Sequence, residues 1–171
     1  DFTAADTEAS ASASATVSER DAGASFNTGT AEVGAGDIAE FNVTLEDNDE
    51  TYVQIGGDDS NFVEVLYLKA DDEDQPMTVQ FNTRLLGTGT SGSVSTGQVY
   101  DTENVDTIES SIYDAPITRA DGTSLFEDDG QSLSSFTSYL DAMNIIDTSA
   151  SPAQTVADQL DRPMQPTDYQ I

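Results

Sequence analysis

Between residues 38 and 46 the chain reads IAEFNVTLE, in which Ala39, Phe41, Val43 and Leu45 alternate without a break with Glu40, Asn42 and Thr44. A period of two is that of a strand with one face buried and the other in water. "TYVQIG" (51–56) predicts the next strand. "MTVQFNTR" (77–84) predicts another, with Met77, Val79, Phe81 and Thr83 on one face. "NFVEVLYLK" (61–69) is apolar on both faces, as a central strand covered on two sides would be. "ASFNTGTAEV" (24–33), where Phe26, Thr28 and Thr30 alternate with smaller residues, offers a first strand. Short polar stretches, "GAGD" (34–37), "DNDE" (47–50), "GDDS" (57–60) and "ADDEDQP" (70–76), punctuate the strands as turns. "GTGTSGSVSTG" (87–97) reads as a loop ending in a short strand, while "VDTIESSIY" (105–113) fits a strand or a short helix, with Ile108 and Ile112 at helical spacing.

The period changes in the last third. Leu133, Phe136, Leu140 and Met143 share a face of a helix drawn over "QSLSSFTSYLDAMNII" (131–146). A second helix is predicted over "SPAQTVADQL" (151–160), with Ser151 as cap, Pro152 at the first helical position and Gln154 three residues after the cap. Pro163 and Pro166 close it, and "DYQI" (168–171) reads as a last strand. The expected fold is mainly β: an antiparallel β-sandwich over 23–171, with a two-helix insertion at about 131–161 before the last strand.

Residues 1–22 stand apart as an arm rich in alanine, serine and threonine. Ala9, Ala11, Ala13, Ala15 and Val17 fall on one side of an extended chain, and Ser10, Ser12 and Ser14 on the other. Alanine and serine are poor strand formers, so the arm is a conditional strand that needs a partner edge. Small side chains suit a narrow slot on a neighbouring subunit, where main-chain hydrogen bonds supply the affinity. Ala9, Ala11, Ala13, Ala15 and Val17 are therefore the candidate assembly residues.

Charge changes the picture most. The 171 residues carry 33 Asp and Glu against five basic side chains (Arg20, Lys69, Arg84, Arg119 and Arg162), a formal net charge of −28. Phosphate backbones and anionic lipid headgroups would be repelled, which argues against nucleic-acid partners. No run of about 20 apolar residues offers a membrane span, so no direct insertion is expected. In dilute buffer such a surface repels itself; in molar salt, where the Debye length falls to about 3 Å, the repulsion largely disappears. The composition reads as an adaptation to high salt. The chain opens at Asp1 rather than Met, as a processed protein or an excised segment would.

Candidate chemistry is sparse. The sequence has no histidine and no cysteine, which removes Ser-His-Asp hydrolysis, thiolate nucleophiles and most zinc sites, and no catalytic residue is expected. No cofactor is required. Calcium or other cations are candidates at the acidic turns, through Asp47, Asp49, Asp71, Asp72 and Asp74, although none has the alternating spacing of a calcium loop. Asn42-Val43-Thr44 is the one N-x-S/T sequon, with its asparagine on the polar face of a strand, and Asn42 is the candidate glycosylation site. Lys69, the sole lysine, could in principle crosslink to an Asn or Asp beside an acid, but reads first as a salt-bridged strand end.

The run GDIAEFNVTLEDNDETYVQIGGDDSNFVEVLYLKADDEDQPMTVQFNT resembles a β-sandwich domain that recurs in haloarchaeal surface (S-layer-type) glycoproteins. There a "GDxAxxxVTL" strand is followed by a "TVxIG" strand and a "YxVxVTVxDxDGDGxVTLxFNT" hairpin. Gly36–Leu45, Thr51–Gly56, Phe62–Asp74 and Val79–Thr83 occupy those positions, with "DDEDQP" in place of the "DGDG" turn. "LDRPMQPTDYQI" resembles the closing "LxxPLxPGxYDL" strand at Leu160, Pro163, Met164, Pro166, Tyr169 and Ile171. The resemblance implies an immunoglobulin-like sandwich, an extracellular location at the cell surface, sugar decoration, lateral assembly and no catalysis. The expected function is a structural subunit of a surface layer or pilus-like filament, with copies of itself and other surface glycoproteins as partners. An adhesion or glycan-binding module is the alternative, using the polar loops at 27–33 and 87–97 and the rings of Tyr52, Tyr67, Tyr100 and Tyr113.

Overall fold

The structure is a computed structural model that describes residues 2–3, 10–11, 22–27, 33–89, 92–114, 117, 125–128, 131–133, 135–149, 161, 163–165 and 167–171. Along these residues the strands are β1 (Phe2–Thr3), β2 (Ser10–Ala11), β3 (Gly23–Phe26), β4 (Ile38–Glu46), β5 (Glu50–Gly57), β6 (Phe62–Ala70), β7 (Met77–Asn82), β8 (Tyr100–Glu103), β9 (Val105–Ser110), β10 (Glu127–Asp128) and β11 (Gln131–Ser132). Two short helices, α1 (Thr96–Val99) and α2 (Phe136–Ala142), complete them. The chain is mainly β. Its two principal sheets are antiparallel, one ordered β3-β4-β7-β8 and the other β5-β6-β9, an arrangement consistent with the expected β-sandwich.

The register follows from the hydrophobic pattern. Across β4 and β7, Ala39 lies opposite Phe81, Phe41 opposite Val79 and Val43 opposite Met77, so one face of the ladder is continuously apolar. A one-residue slip would turn that whole set into water. Rings then run across all four strands: Phe26 to Phe41 at 5.9 Å, Phe41 to Phe81 at 6.3 Å and Phe81 to Tyr100 at 6.5 Å between centroids. Phe62, Leu66, Leu68 and Ala70 of β6 join the same core, with Val53 and Ile55 of β5.

β6 is buried on both faces, as its sequence predicts. Its other face presents Val63 and Val65 to a second cluster, made with Phe126, Phe136, Leu140, Ile145 and Ile146. The three-stranded sheet is thus covered on one side by the four-stranded sheet and on the other by α2. Tyr139 of α2 reaches β5, its hydroxyl donating to Gln54 Oε1 at 2.8 Å. The outer face of the four-stranded sheet keeps its polar residues toward solvent.

Several boundaries depart from the sequence reading. The helix drawn over 131–146 is α2 alone; Gln131–Ser132 pairs instead with Glu127–Asp128. Ser135 caps α2 by accepting from the Ser138 N–H, and Asn144, at φ 56°, ends it. Ile145 N bonds back to Leu140 O and Asn144 N to Asp141 O, a Schellman closure. Leu133 still packs on the second cluster from outside the helix. The loop at 87–97 leads into α1 and then β8, which pairs with β7. Residues 105–110 resolve as a strand. Residues 168–171 lie beside β5 through one backbone bond, Gly56 N to Gln170 O at 2.7 Å, with no ladder. The second predicted helix, 151–160, lies outside the described residues, as do Ala9, Ala13, Ala15 and Val17 of the arm. Ala11 falls in β2, which pairs with Phe2–Thr3.

Candidate functional site

The outer face of the four-stranded sheet carries Asn42 at its middle. β4 is an interior strand of the sheet, and the alternation that buries Phe41 and Val43 turns Asn42 the other way, where it is half-buried. A polar ladder surrounds it. Thr78 Oγ1 donates to Asn42 Oδ1 at 2.6 Å, Thr44 Oγ1 to Asn27 Oδ1 at 2.7 Å and Gln80 Nε2 to Glu40 Oε2 at 2.7 Å. Among the described residues the Asn42 nitrogen is held by Glu40 Oε1 alone, at 3.5 Å. A substituent on that nitrogen would break the weakest bond of the ladder and leave the Thr78 bond intact.

The acidic turns are organised without converging carboxylates. Among the described residues no group of three or more acids is placed to hold a metal ion. Asp47 sits in the β4–β5 turn at φ 56°, and Asp49 Oδ2 lies 3.6 Å from Lys69 Nζ. Both partners of that pair are well exposed, at 54% and 42%, so it adds at most about 1 kcal/mol. Lys69 occupies the position on β6 whose side chain leaves the core, whereas the buried acid of the strand, Glu64, points into it. Lys69 is thus the salt-bridged strand end its sequence position suggests, exposed and paired with Asp49.

In the turn carrying Asp71, Asp72 and Asp74 the organising group is an amide. Asn104 Nδ2 donates to the carbonyls of Asp72 (2.9 Å), Gln75 (2.9 Å) and Pro76 (3.4 Å), while its Oδ1 accepts from Asp72 N at 3.0 Å. Asp72 Oδ1 in turn accepts from Asp74 N at 3.0 Å. Asn104 is itself left-handed, at φ 57°. Asn104→Ala should lower stability by about 2 kcal/mol, by combining lost hydrogen bonds with a strained backbone. Asn104→Gly should cost about half as much, since glycine takes that φ freely. Chemical denaturation at fixed molar salt checks both.

The third cluster was not singled out in the sequence. Glu64 is fully buried on the core side of β6, between Phe62 and Leu66. Ser110 Oγ donates to its Oε2 at 3.0 Å; Ser111 N and Ser111 Oγ donate to its Oε1 at 3.0 and 2.9 Å. Burial nonetheless pushes its pKa up to about 7, because loss of hydration outweighs the Ser111 and Ser110 bonds. Facing it from the opposite sheet is Tyr100, whose buried hydroxyl has no hydrogen-bond partner of good geometry among the described residues. Burial first, and then the Glu64 charge, hold that phenol well above its ordinary range.

The tyrosines considered for sugar stacking divide. Tyr100 is buried, and Tyr113 anchors a loop, its hydroxyl accepting from Gly87 N at 2.8 Å and donating to Leu85 O at 3.0 Å. Tyr52 and Tyr67 pair with centroids 5.4 Å apart, and Tyr67 donates to Glu50 Oε2 at 2.6 Å.

The chain matches the family described as "Domain of unknown function (DUF7827)" over residues 16–134. It matches no curated protein and no solved structure. No helix among the described residues is long and apolar enough to cross a membrane.

Proposed function

Since the chain belongs to the DUF7827 family, described as a domain of unknown function, we propose that it is a non-catalytic structural subunit of a haloarchaeal extracellular assembly, a surface layer or filament in which copies join through the N-terminal arm and the sheet edges. The observation that carries this reading is the outer edge of β3. That four-residue strand is the rim of the four-stranded sheet, it follows the arm directly, and its Phe26 is 43% exposed. Among the described residues no strand pairs with that edge; an unpaired edge is a template for another chain, and an extended segment of small residues can add to it by main-chain bonds alone.

The polar outer face supports the same reading. It presents Asn42, half-buried, for an N-linked sugar on the face of β4 turned away from the core. The charge supports a setting in molar salt, where acidic surfaces can approach one another.

Light scattering and negative-stain imaging in molar sodium chloride, comparing the intact chain with one lacking residues 1–20, test the proposal. Ordered sheets or fibres from the intact chain and monomers from the truncated one are expected. Monomers from both would overturn it.

A further inference from the structure

The outer face of the three-stranded sheet changes character along its length. Gln54 and Val65, opposite one another in register, lie under α2: Val65 packs in the second core cluster and Gln54 accepts from the Tyr139 hydroxyl. The next row on the same face is Tyr52, Tyr67 and Glu109, and the row after it is Glu50, Lys69 and Thr107. Neither row belongs to the cluster that α2 completes. Tyr52 and Tyr67 are half-buried, and Glu109 is exposed.

The two tyrosines stand directly across the β5–β6 ladder from each other, their centroids 5.4 Å apart and their planes inclined at 47°. The bond from the Tyr67 hydroxyl to Glu50 Oε2, at 2.6 Å, already fixes one of the rings. Little side-chain freedom is then left to lose when a ligand settles on it. Hydrogen-bonding groups of both kinds border the rings. Glu50, Glu109 and the Thr107 hydroxyl can accept, and the Lys69 ammonium, 3.6 Å from Asp49 Oδ2, can donate. Such a floor and rim suit a ligand that is apolar on its flat side and polar around its edge.

Size and charge select the occupant. Strands about 4.8 Å apart and rows about 7 Å apart give the two rows an extent of roughly 10 Å each way, or about 100 Å². A stable protein interface takes about 800 Å² from each partner, so the occupant is small. Asp49, Glu50 and Glu109 outnumber the one ammonium beside them, which disfavours an anion at contact range. We propose that the Tyr52–Tyr67 row binds a neutral pyranose sugar. The C–H face of the sugar stacks on the two rings, whose faces carry partial negative charge, and its hydroxyls bond to the bordering groups. Stacking carries the affinity, because molar salt screens charges but does not weaken apolar burial. The site stands whether or not copies of the chain assemble through the arm.

The test is saturation-transfer NMR on the full chain in molar sodium chloride. The probes are methyl glucoside, methyl mannoside and methyl galactoside, with methyl glucuronide as the anionic counterpart and N-acetyl-arginine amide as a cationic control. At least one neutral glycoside should bind with a Kd of about 10 mM and shift the ring signals of Tyr52 and Tyr67. Methyl glucuronide should bind more weakly than that glycoside. Tyr52→Ala should weaken binding about tenfold, while Tyr52→Phe, which keeps the ring face, should stay within about twofold of the wild type. Binding by none of the neutral glycosides, or unchanged binding in Tyr52→Ala, would overturn the proposal. So would the arginine probe binding more tightly than every sugar, which would mark the face as a contact for a cationic protein segment. Should Tyr52→Ala not fold, the ring shifts in the wild type decide: sugar binding that leaves both tyrosines unmoved lies elsewhere, and the proposal falls.

Discussion

Dialysed from molar sodium chloride into buffer at about 0.01 M ionic strength, the protein should lose its β-sheet circular dichroism and recover it when salt is restored. The argument is electrostatic. A net charge of −28 leaves most carboxylates without a cationic neighbour, and Lys69–Asp49 shows how little the few pairs contribute. Two like charges 10 Å apart repel by about 0.4 kcal/mol in unscreened water. Many such pairs are gathered on one sandwich and spread apart in the unfolded chain. Their difference is to be set against a domain stability of roughly 5–15 kcal/mol. At 0.01 M the Debye length of about 30 Å spans the molecule; at 1 M it is about 3 Å, shorter than most of the separations involved. A fold retained unchanged at low salt would remove the main support for a high-salt setting.

Much of the sandwich is legible in the sequence because its two long outer-faced strands obey a period of two. β4 and β7 each bury every second residue, and nothing in their composition competes with that signal. β6 declares itself by being apolar on both faces, and α2 covers it as that pattern requires. β8 is illegible for the opposite reason. Tyr100-Asp101-Thr102-Glu103 holds a single buried aromatic, and the strand exists because β7 offers a ladder to it. The helical pattern over 131–146 outruns α2 because Leu133, Phe136, Leu140 and Met143 keep helical spacing on both sides of a cap; only Ser135 marks the true start and Asn144 the end.

The candidate site divides in the same way. The face on which Asn42 lies follows from strand parity alone, but its half-burial does not, because the Thr78 and Glu40 side chains that cover it come from pairing with β7 and from its own strand. Glu64 could have been found by the same parity: it falls in step with Phe62, Leu66 and Leu68, and so points into the core. What hides it is the general expectation that acids face water, together with partners 46 and 47 residues away in sequence. No spacing rule brings Ser110 and Ser111 to that carboxyl. The acidic turns were legible as turns, but their organiser, Asn104, lies about 30 residues downstream of the segment it closes.

Gly56→Ala should be among the most damaging single-atom-scale changes in the chain, costing about 3 kcal/mol or more, whereas Gly57→Ala one position later should be close to neutral. Gly56 sits at φ +86°, a conformation in which an L side chain costs about 1–2 kcal/mol by itself. A Cβ there would also run into the Phe62 carbonyl oxygen, which is backbone and cannot swing aside, and would crowd Ser60 Oγ. Gly57 has nothing near its missing Cβ. The two glycines are neighbours in β5 and pair with Val63 and Phe62, so denaturation midpoints of the two variants compare the same strand with and without the clash. Because Gly56 N also holds Gln170 O, Gly56→Ala should release the C-terminal segment as well, read as lost exchange protection at Gly56's neighbours in β5. Equal stability of the two variants would mean that the Phe62 carbonyl does not crowd Gly56 and that β5 and β6 lie further apart at this end.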